Sequence, residues 1–367
     1  MRILVINWRD ILNPLGGGAE VHLFEIFSRL VDRGHSITMV ANLFPGAKRE
    51  EMVQGIRVVR GGGEYTFPIV APRLVMHELA KQRYDVIVED INKLPLYTPL
   101  WVRLPKLIII PHIFGGTIFQ QANVVVGGIV YVSELPLVPI YKREIFEVIS
   151  NSTKEDLVGR GIPKENVEVI ECGIDHTLYS PGGGKAEDPL VVYVGRLKKY
   201  KGVDHLIKAM VCVQKEVPNA TLVIVGDGDY KRTLERIAVR EGVKARFTGF
   251  VPQEEKVDWL RKAWVVVYPS RIEGWGLVAI EANACGTPVI ASRVPGLRDS
   301  VKDGVSGLLY PYGDINKMSS LIVRLLKDRR ERERLSQGAL RWASNFTWGS
   351  AANGTEALLH RIKKRRL

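Results

Sequence analysis

Short apolar runs alternate with amphipathic stretches along the chain, and this cadence limits the fold more than any other feature. Residues 3–6 (Ile-Leu-Val-Ile) come first. Residues 19–30 follow, with Val21, Phe24, Phe27 and Leu30 at helical spacing; Gly34 is a stop, and residues 37–41 are apolar again. That order is a βαβ unit. The cadence continues through 86–88, 107–110 and 148–149, then Ser152-Thr153-Lys154-Glu155, whose Ser or Thr can cap a helix before Asp156-Leu157. Runs buried on both faces imply a parallel sheet covered by helices.

At residues 180–189 (Ser-Pro-Gly-Gly-Gly-Lys-Ala-Glu-Asp-Pro) three glycines stand between two prolines, the composition of a linker. The cadence then restarts with 190–194, a helix-like 202–216, 222–225, an amphipathic segment over 230–240, 247–250, 265–267 and 289–290. The expectation is an α/β chain of two doubly wound domains. The first spans 1–180, a linker spans 181–189, the second spans 190–346, and 347–367 forms a last segment. Two such domains in series leave a cleft at the carboxyl ends of their strands, where ligands bind. At 367 residues, 46% of them hydrophobic and 25% charged, the chain has ample core for both, which excludes a disordered or staple-dependent protein.

The charge balance is basic, 52 Lys and Arg against 40 Asp and Glu for a net +12, and favours anionic partners. Cys172, Cys212 and Cys285 form no CxxC pair and read as core thiols of a reducing compartment. The opening apolar run turns polar at Asn7, too soon for a signal peptide, so the cytoplasm is the expected location. Residues 107–133 carry no Asp, Glu, Lys or Arg, long enough for a membrane span. Pro111, Gly115, Gly116, Gly127, Gly128, Gln120, Gln121 and Asn123 interrupt the stretch, which reads instead as a buried strand, a loop and a short apolar helix, with contact at a bilayer surface as the alternative.

No P-loop, HExxH or Gly-x-Ser-x-Gly string is present, and the seven histidines never pair at metal-ligand spacing. Asp227-Gly228-Asp229 could hold a divalent ion, but a Gly-rich turn explains it equally well. Gly16-Gly17-Gly18-Ala19-Glu20 lies between the first strand and first helix, where backbone N–H groups can hold a phosphate. Val194-Gly195-Arg196-Leu197 and Lys198-Lys199-Tyr200-Lys201-Gly202 repeat the device, so that Arg196 and Lys201 could neutralise a diphosphate and its leaving-group charge; the plain alternative is a solvated basic loop. The most specific string runs Glu273-Gly274-Trp275-Gly276-Leu277 to Glu281. Its glycines expose amides at a helix start, while Glu273 can accept from a sugar hydroxyl and Glu281 from a ribose. The two carboxylates stand up to ~12 Å apart along a helix, too far for the pair of a retaining glycosidase.

Taken together, these strings resemble the retaining GT-B glycosyltransferases of family 4. The resemblance rests on 16–20, on Ser150-Asn-Ser-Thr-Lys-Glu-Asp-Leu157, on Val194-Gly-Arg-Leu197 with Lys201-Gly202, on Ile224-Val-Gly-Asp-Gly228 and on Glu273 to Glu281 as EGxGLxxxE. It implies two Rossmann-like domains facing across a cleft and a nucleoside-diphosphate-sugar donor (UDP-, GDP- or ADP-sugar) held by the C-terminal one. It further implies a glycan or lipid-linked acceptor on the N-terminal domain, and a last helix, near 348–361, returning to that domain. By the same resemblance Arg196 and Lys201 contact the diphosphate, Glu273 the sugar, Glu281 the ribose, Gly274 to Leu277 the donor, Gly17 and Gly18 its phosphate side, and His112 the donor sugar. It implies transfer with retention and neither cofactor nor dedicated metal, with the leaving phosphate taking the acceptor's proton. One string departs: where the family has Pro-Asn-Gly before a hydrophobic residue and Asp, this chain has Glu171-Cys172-Gly173-Ile174-Asp175.

Two other classes fit parts of the sequence. A nucleotide-sugar epimerase shares the architecture and needs no acceptor. A non-catalytic basic protein would use the +12 surface on membrane or nucleic acid, although no nucleic-acid module is visible. The segment 361–367 (Arg-Ile-Lys-Lys-Arg-Arg-Leu) carries five positive charges, enough to suggest an anionic membrane surface as partner.

Overall fold

The computed structural model describes residues 1–120 and 123–364; Gln121, and Arg365, Arg366 and Leu367 of the basic segment, lie outside the described residues. The chain divides into two compact units, Met1–Gly173 with Trp348–Leu367, and Ile174–Thr347.

In the first unit the apolar runs become strands β1 (Arg2–Ile6), β2 (Ser36–Ala41), β3 (Glu50–Val53), β4 (Ile56–Arg60), β5 (Val86–Asp90), β6 (Lys106–Ile110), β7 (Ile145–Val148) and β8 (Val167–Val169). They form one sheet in the order β3-β4-β2-β1-β5-β6-β7-β8. Ile3, Leu4, Ile108 and Ile109 are wholly buried, as expected of strands covered on both faces. The helix Gly18–Asp32 turns Leu23, Phe24, Ile26, Phe27 and Leu30 inward. All pairings are parallel except β3 with β4, a hairpin that periodicity does not announce. Its turn, Gln54-Gly55, has φ of 48° and 77°, the left-handed pair that a two-residue hairpin needs.

The helix Asn151–Arg160 is capped by Ser150 rather than by Ser152 or Thr153. Ser150 has extended backbone and its Oγ accepts from Thr153 N at 3.1 Å, so the two expected caps fall inside the first turn. The last helix, Trp348–Lys364, packs along Gly18–Asp32 in the first unit and buries Leu358, Leu359 and Ile362. Each such side chain is worth about 1.5–3 kcal/mol of transfer free energy.

The second unit holds β9 (Leu190–Val194), β10 (Thr221–Val225), β11 (Ala245–Gly249), β12 (Val265–Tyr268), β13 (Val289–Ser292) and β14 (Gly307–Tyr310), all parallel, in the order β11-β10-β9-β12-β13-β14. This is the doubly wound order, and the direction of winding switches between β9 and β12. The Pro- and Gly-rich stretch does not separate the units. It is held within the second: Arg261 donates to Ser180 O at 2.7 Å, Ala186 N to Lys262 O at 2.9 Å, and Trp264 Nε1 to Ala186 O at 2.7 Å. The division lies instead at Gly173, beside the departing Glu171-Cys172 string.

Two expectations about apolar residues change. Cys172 and Cys285 are buried, but Cys212 is exposed on the helix Val203–Glu216. The uncharged stretch does supply buried β6, yet the helix Val124–Glu134 beyond it leaves Val124, Val125, Ile129 and Val132 largely exposed. Val124–Tyr141 is long and apolar enough to cross a membrane, and only 22% of it is buried.

Candidate functional site

The turns after β9 and β10 touch backbone to backbone. A Cβ on Gly226 would lie 2.0 Å from Gly195 O, so Val-Gly-Asp-Gly and Val-Gly-Arg are glycine strings because two loops cross there. Gly202 (φ 67°) precedes the helix Val203–Glu216, and a Cβ on it would lie 2.3 Å from Pro269 O, just past β12. These close approaches bring the loops after β9, β10 and β12 together at the winding switch.

There Lys201 and Glu273, 72 residues apart in sequence, form an ion pair with both side chains about nine-tenths buried. The Lys201 ammonium also lies 5.2 Å and 5.4 Å from the centroids of the Tyr200 and Tyr268 rings. Aromatic faces and a carboxylate thus cage one cation. Arg196 stands beside this pair in the chain, exposed, with its carbonyl accepting from the buried Tyr193 hydroxyl at 3.1 Å. The loop can therefore present two cations and a carboxylate to an anionic, hydroxyl-bearing ligand.

Glu281 is held separately, in the buried face of the helix Leu277–Ala284, and pairs with Lys256 at 2.8 Å. Lys256 Nζ and Gln253 Nε2 donate to the Tyr179 hydroxyl at 2.8 Å and 2.9 Å. Burial, then the Glu281 charge, push that phenol well above its ordinary range. Lys256, Gln253 and Tyr179 belong to this cluster and were not singled out from the sequence; a lysine on an otherwise ordinary amphipathic helix gives no local sign of its partner. The Trp275 side chain is part of the core. It is buried edge-on against Phe346, ring centroids 5.4 Å apart, while Gly274, Gly276 and Leu277 start the helix next to Glu273. Asp227 and Asp229 face Lys231 and Lys198 at 3.7 Å and 2.7 Å, an arrangement that needs no divalent ion.

In the first unit the helix start after β1 already holds an anion. Gly17 N donates to Glu20 Oε2 at 2.6 Å, so a phosphate at Gly17 and Gly18 would have to displace this carboxylate. Asn92, beyond β5, donates to Asn7 Oδ1 at 2.8 Å and to Glu20 at 3.3 Å, closing the winding switch of this sheet. His112 follows β6 with its ring edge-on to Phe114, centroids 4.4 Å apart.

A buried network missed by sequence reasoning lies behind these loops. His22 faces Cys172 Sγ at 3.4 Å and Glu147 at 3.5 Å, and Thr355 of the last helix donates to Glu147 at 2.9 Å. Burial alone would push the imidazole down, but Cys172 and Glu147 hold it up, at about 10. The Cys172 departure is thus a core contact. Asp90, at the end of β5, is buried with neither carboxylate oxygen hydrogen-bonded, and burial, then Glu20, push it well above the usual carboxylate range. A folded pKa raised above the unfolded 3.8 means that this group's contribution is most favourable below that value and is lost as pH rises. Asp90→Asn should therefore raise Tm at pH 8, and the gain should shrink toward pH 4; an equal gain at both, read by calorimetry, would place the effect elsewhere.

Comparison with known proteins agrees with this geometry. The sequence model of the family described as Glycosyltransferase Family 4 matches residues 16–178, and that of Glycosyl transferases group 1 matches 179–342. D-inositol 3-phosphate glycosyltransferase of Frankia alni is 35% identical over 210 residues, covering 52% of this chain and 52% of its own. The same-named protein of Kribbella flavida is 36% identical over 217 residues, covering 54% and 51%. The chain spans about half the length of the curated relatives it matches. Among solved structures, sucrose-phosphate synthase from Thermosynechococcus elongatus aligns over 98% of both chains with TM-score 0.84 and 24% identity. Anabaena Alr3699/HepE in complex with UDP and glucose aligns over 98% of this chain and 100% of its own, with TM-score 0.78 and 22% identity. At such identities the structures speak for the fold alone. With residues 16 to 342 matched by the two models in succession and both units doubly wound, the chain belongs to the family 4, group 1 glycosyltransferases of GT-B fold.

Proposed function

We propose that the protein transfers a sugar, with retention, from a nucleoside-diphosphate sugar to a hydroxyl acceptor. The observation that carries the donor half is the Lys201–Glu273 pair at the winding switch of the second unit, flanked by Arg196. An incoming diphosphate takes the place of Glu273 as the counter-charge of Lys201. Glu273 is then released to accept from the sugar hydroxyls, and Glu281 with Lys256 receives the nucleoside end. Arg196, Lys201 and the helix start at Gly276 stabilise the departing diphosphate, whose oxygen takes the acceptor's proton on the same face. His112, of the first unit, is assigned to the donor sugar, as the family resemblance implies. Since the Anabaena neighbour is described with UDP and glucose, UDP-glucose is the first donor to test, followed by GDP- and ADP-sugars. Ligands that bind only the folded state raise Tm, so a thermal-shift panel ranks the bases. NMR of the first product then reads its anomeric configuration: retention supports the proposal, inversion overturns it, and a donor altered without any acceptor identifies an epimerase.

The acceptor is lipid-linked or lies at a membrane on this reading, because Ile129 and Val132 stand exposed on a helix that carries no charge before its last residue, Glu134. The basic segment contributes less than its composition suggests: Arg361 is paired with Glu168 at 2.9 Å and Lys363 with Asp85 at 2.8 Å. Sedimentation with anionic liposomes should show binding that Ile129→Asp weakens, since each buried apolar side chain is worth about 1.5–3 kcal/mol, and that truncation after His360 weakens as well, through loss of basic residues worth about 1 kcal/mol each near an anionic surface. A protein that remains in the supernatant points to a soluble acceptor.

A further inference from the structure

We infer that the first unit carries a divalent transition-metal site, formed by His35, Glu356 and His360, at the end of its sheet remote from the sugar-transfer loops. His35 immediately precedes β2, so it lies at the amino ends of the strands, whereas Gly17, Asp90 and His112 lie at the carboxyl ends. Glu356 and His360 are four residues apart on the last helix and share one of its faces. One ligand atom from each of the three comes within 4.8 Å of the other two. His35 Nε2 and Glu356 Oε1 are hydrogen-bonded at 2.8 Å, a contact that an ion would open slightly and bridge, and the His360 ring meets the His35 ring edge-on with centroids 6.1 Å apart.

The surroundings suit a metal ligand set. Arg33 donates to the other oxygen of Glu356 at 2.6 Å, which leaves Oε1 directed at His35 and favours monodentate use of the carboxylate. The Met1 amino group lies 3.3 Å from His35 Nδ1, so both imidazole nitrogens have an assigned neighbour and the ring is held in orientation. His35 is buried, Glu356 half-buried and His360 exposed, which gives an anchored ligand, an intermediate one and an open side for an ion to enter and keep a water. Two imidazoles and one carboxylate select Zn2+, Co2+ or Ni2+ over Mg2+ or Ca2+, and the guanidinium beside Glu356 moderates the affinity. The ion would tie the last helix to the start of β2. No pattern in the chain foretells this set, because His35 stands 321 residues from Glu356.

The test is calorimetric titration of chelator-stripped protein with Zn2+, repeated for His360→Ala and for His77→Ala, which changes an exposed histidine elsewhere. His360→Ala removes an exposed side chain, so the fold is expected to persist, and circular dichroism verifies it. The expected result is one equivalent of Zn2+ bound by the wild type, with affinity reduced at least about tenfold by His360→Ala and unchanged by His77→Ala. Co2+ should give d–d absorption bands in the wild type that His360→Ala alters. Failure of the wild type to bind, a smaller loss in His360→Ala, or an equal loss in His77→Ala overturns the site.

Discussion

Lys201→Ala is expected to weaken nucleoside-diphosphate binding by about 10- to 150-fold, corresponding to the 1.5–3 kcal/mol of a lost charge-assisted hydrogen bond. The effect should exceed that of Arg196→Ala, because Lys201 is buried between two aromatic rings and a carboxylate while Arg196 is exposed. The division of roles between the acids gives the control. Glu273→Ala frees Lys201 of its internal partner and should preserve or strengthen binding of the free diphosphate while abolishing sugar transfer. Glu281→Ala leaves Lys256 unpaired at the nucleoside end and should weaken the nucleotide itself. Calorimetry with UDP, GDP and ADP, alongside a transfer assay, separates these outcomes. Unchanged affinity in Lys201→Ala, or equal loss of nucleotide binding in both acid variants, would remove the diphosphate from this loop.

Gly226→Ala should have the largest effect on stability. Its φ of 132° is strained for any residue with a side chain, and the added methyl would lie 2.0 Å from Gly195 O, a backbone atom that cannot turn aside. The loop must then move, at a cost of about 3 kcal/mol or more. For a unit of this size that is a fall in Tm of about 6–12 °C. The damage is local to the meeting of the β9 and β10 turns, so ligand-induced stabilisation should fall as well. Gly183→Ala, where a methyl meets nothing within 4 Å but φ is also positive, isolates the strain of the backbone from the clash. If the two variants melt alike, the crossing of the loops is not what requires glycine at 226.

What could be read from the sequence follows the range of the forces involved. Local burial pattern located the strands at 3–6 and 107–110 and the helix carrying Phe24 and Phe27, because covering both faces of a sheet leaves a continuous apolar run. Ser150 was passed over as a cap in favour of Ser152 and Thr153, since composition cannot tell which of several hydroxyls has extended backbone. The β3–β4 hairpin turns on Gln54-Gly55, where glutamine takes a left-handed conformation more usual in asparagine. Three glycines at 182–184 read as a boundary but are held to the second unit through Arg261 and Trp264. For the site, glycine strings and carboxylates were legible as types. That Lys201 would face Glu273, Lys256 face Glu281, or Cys172 face His22 depended on partners brought together by the winding of the sheets.

Because the last helix belongs to the first unit, the ribosome completes that unit last. When residue 173 has been made, His22 and Glu147 still lack Trp348 and Thr355, and the apolar face of Gly18–Asp32 is uncovered. All of the second unit, from Ile174 to Thr347, then emerges and can close its own sheet before Trp348 is added. Through that interval the nascent first unit presents a buried-type surface to solvent or to a chaperone. Chains released prematurely anywhere before the final helix should share one defect, an unsealed first unit beside a second unit that is already complete or nearly so.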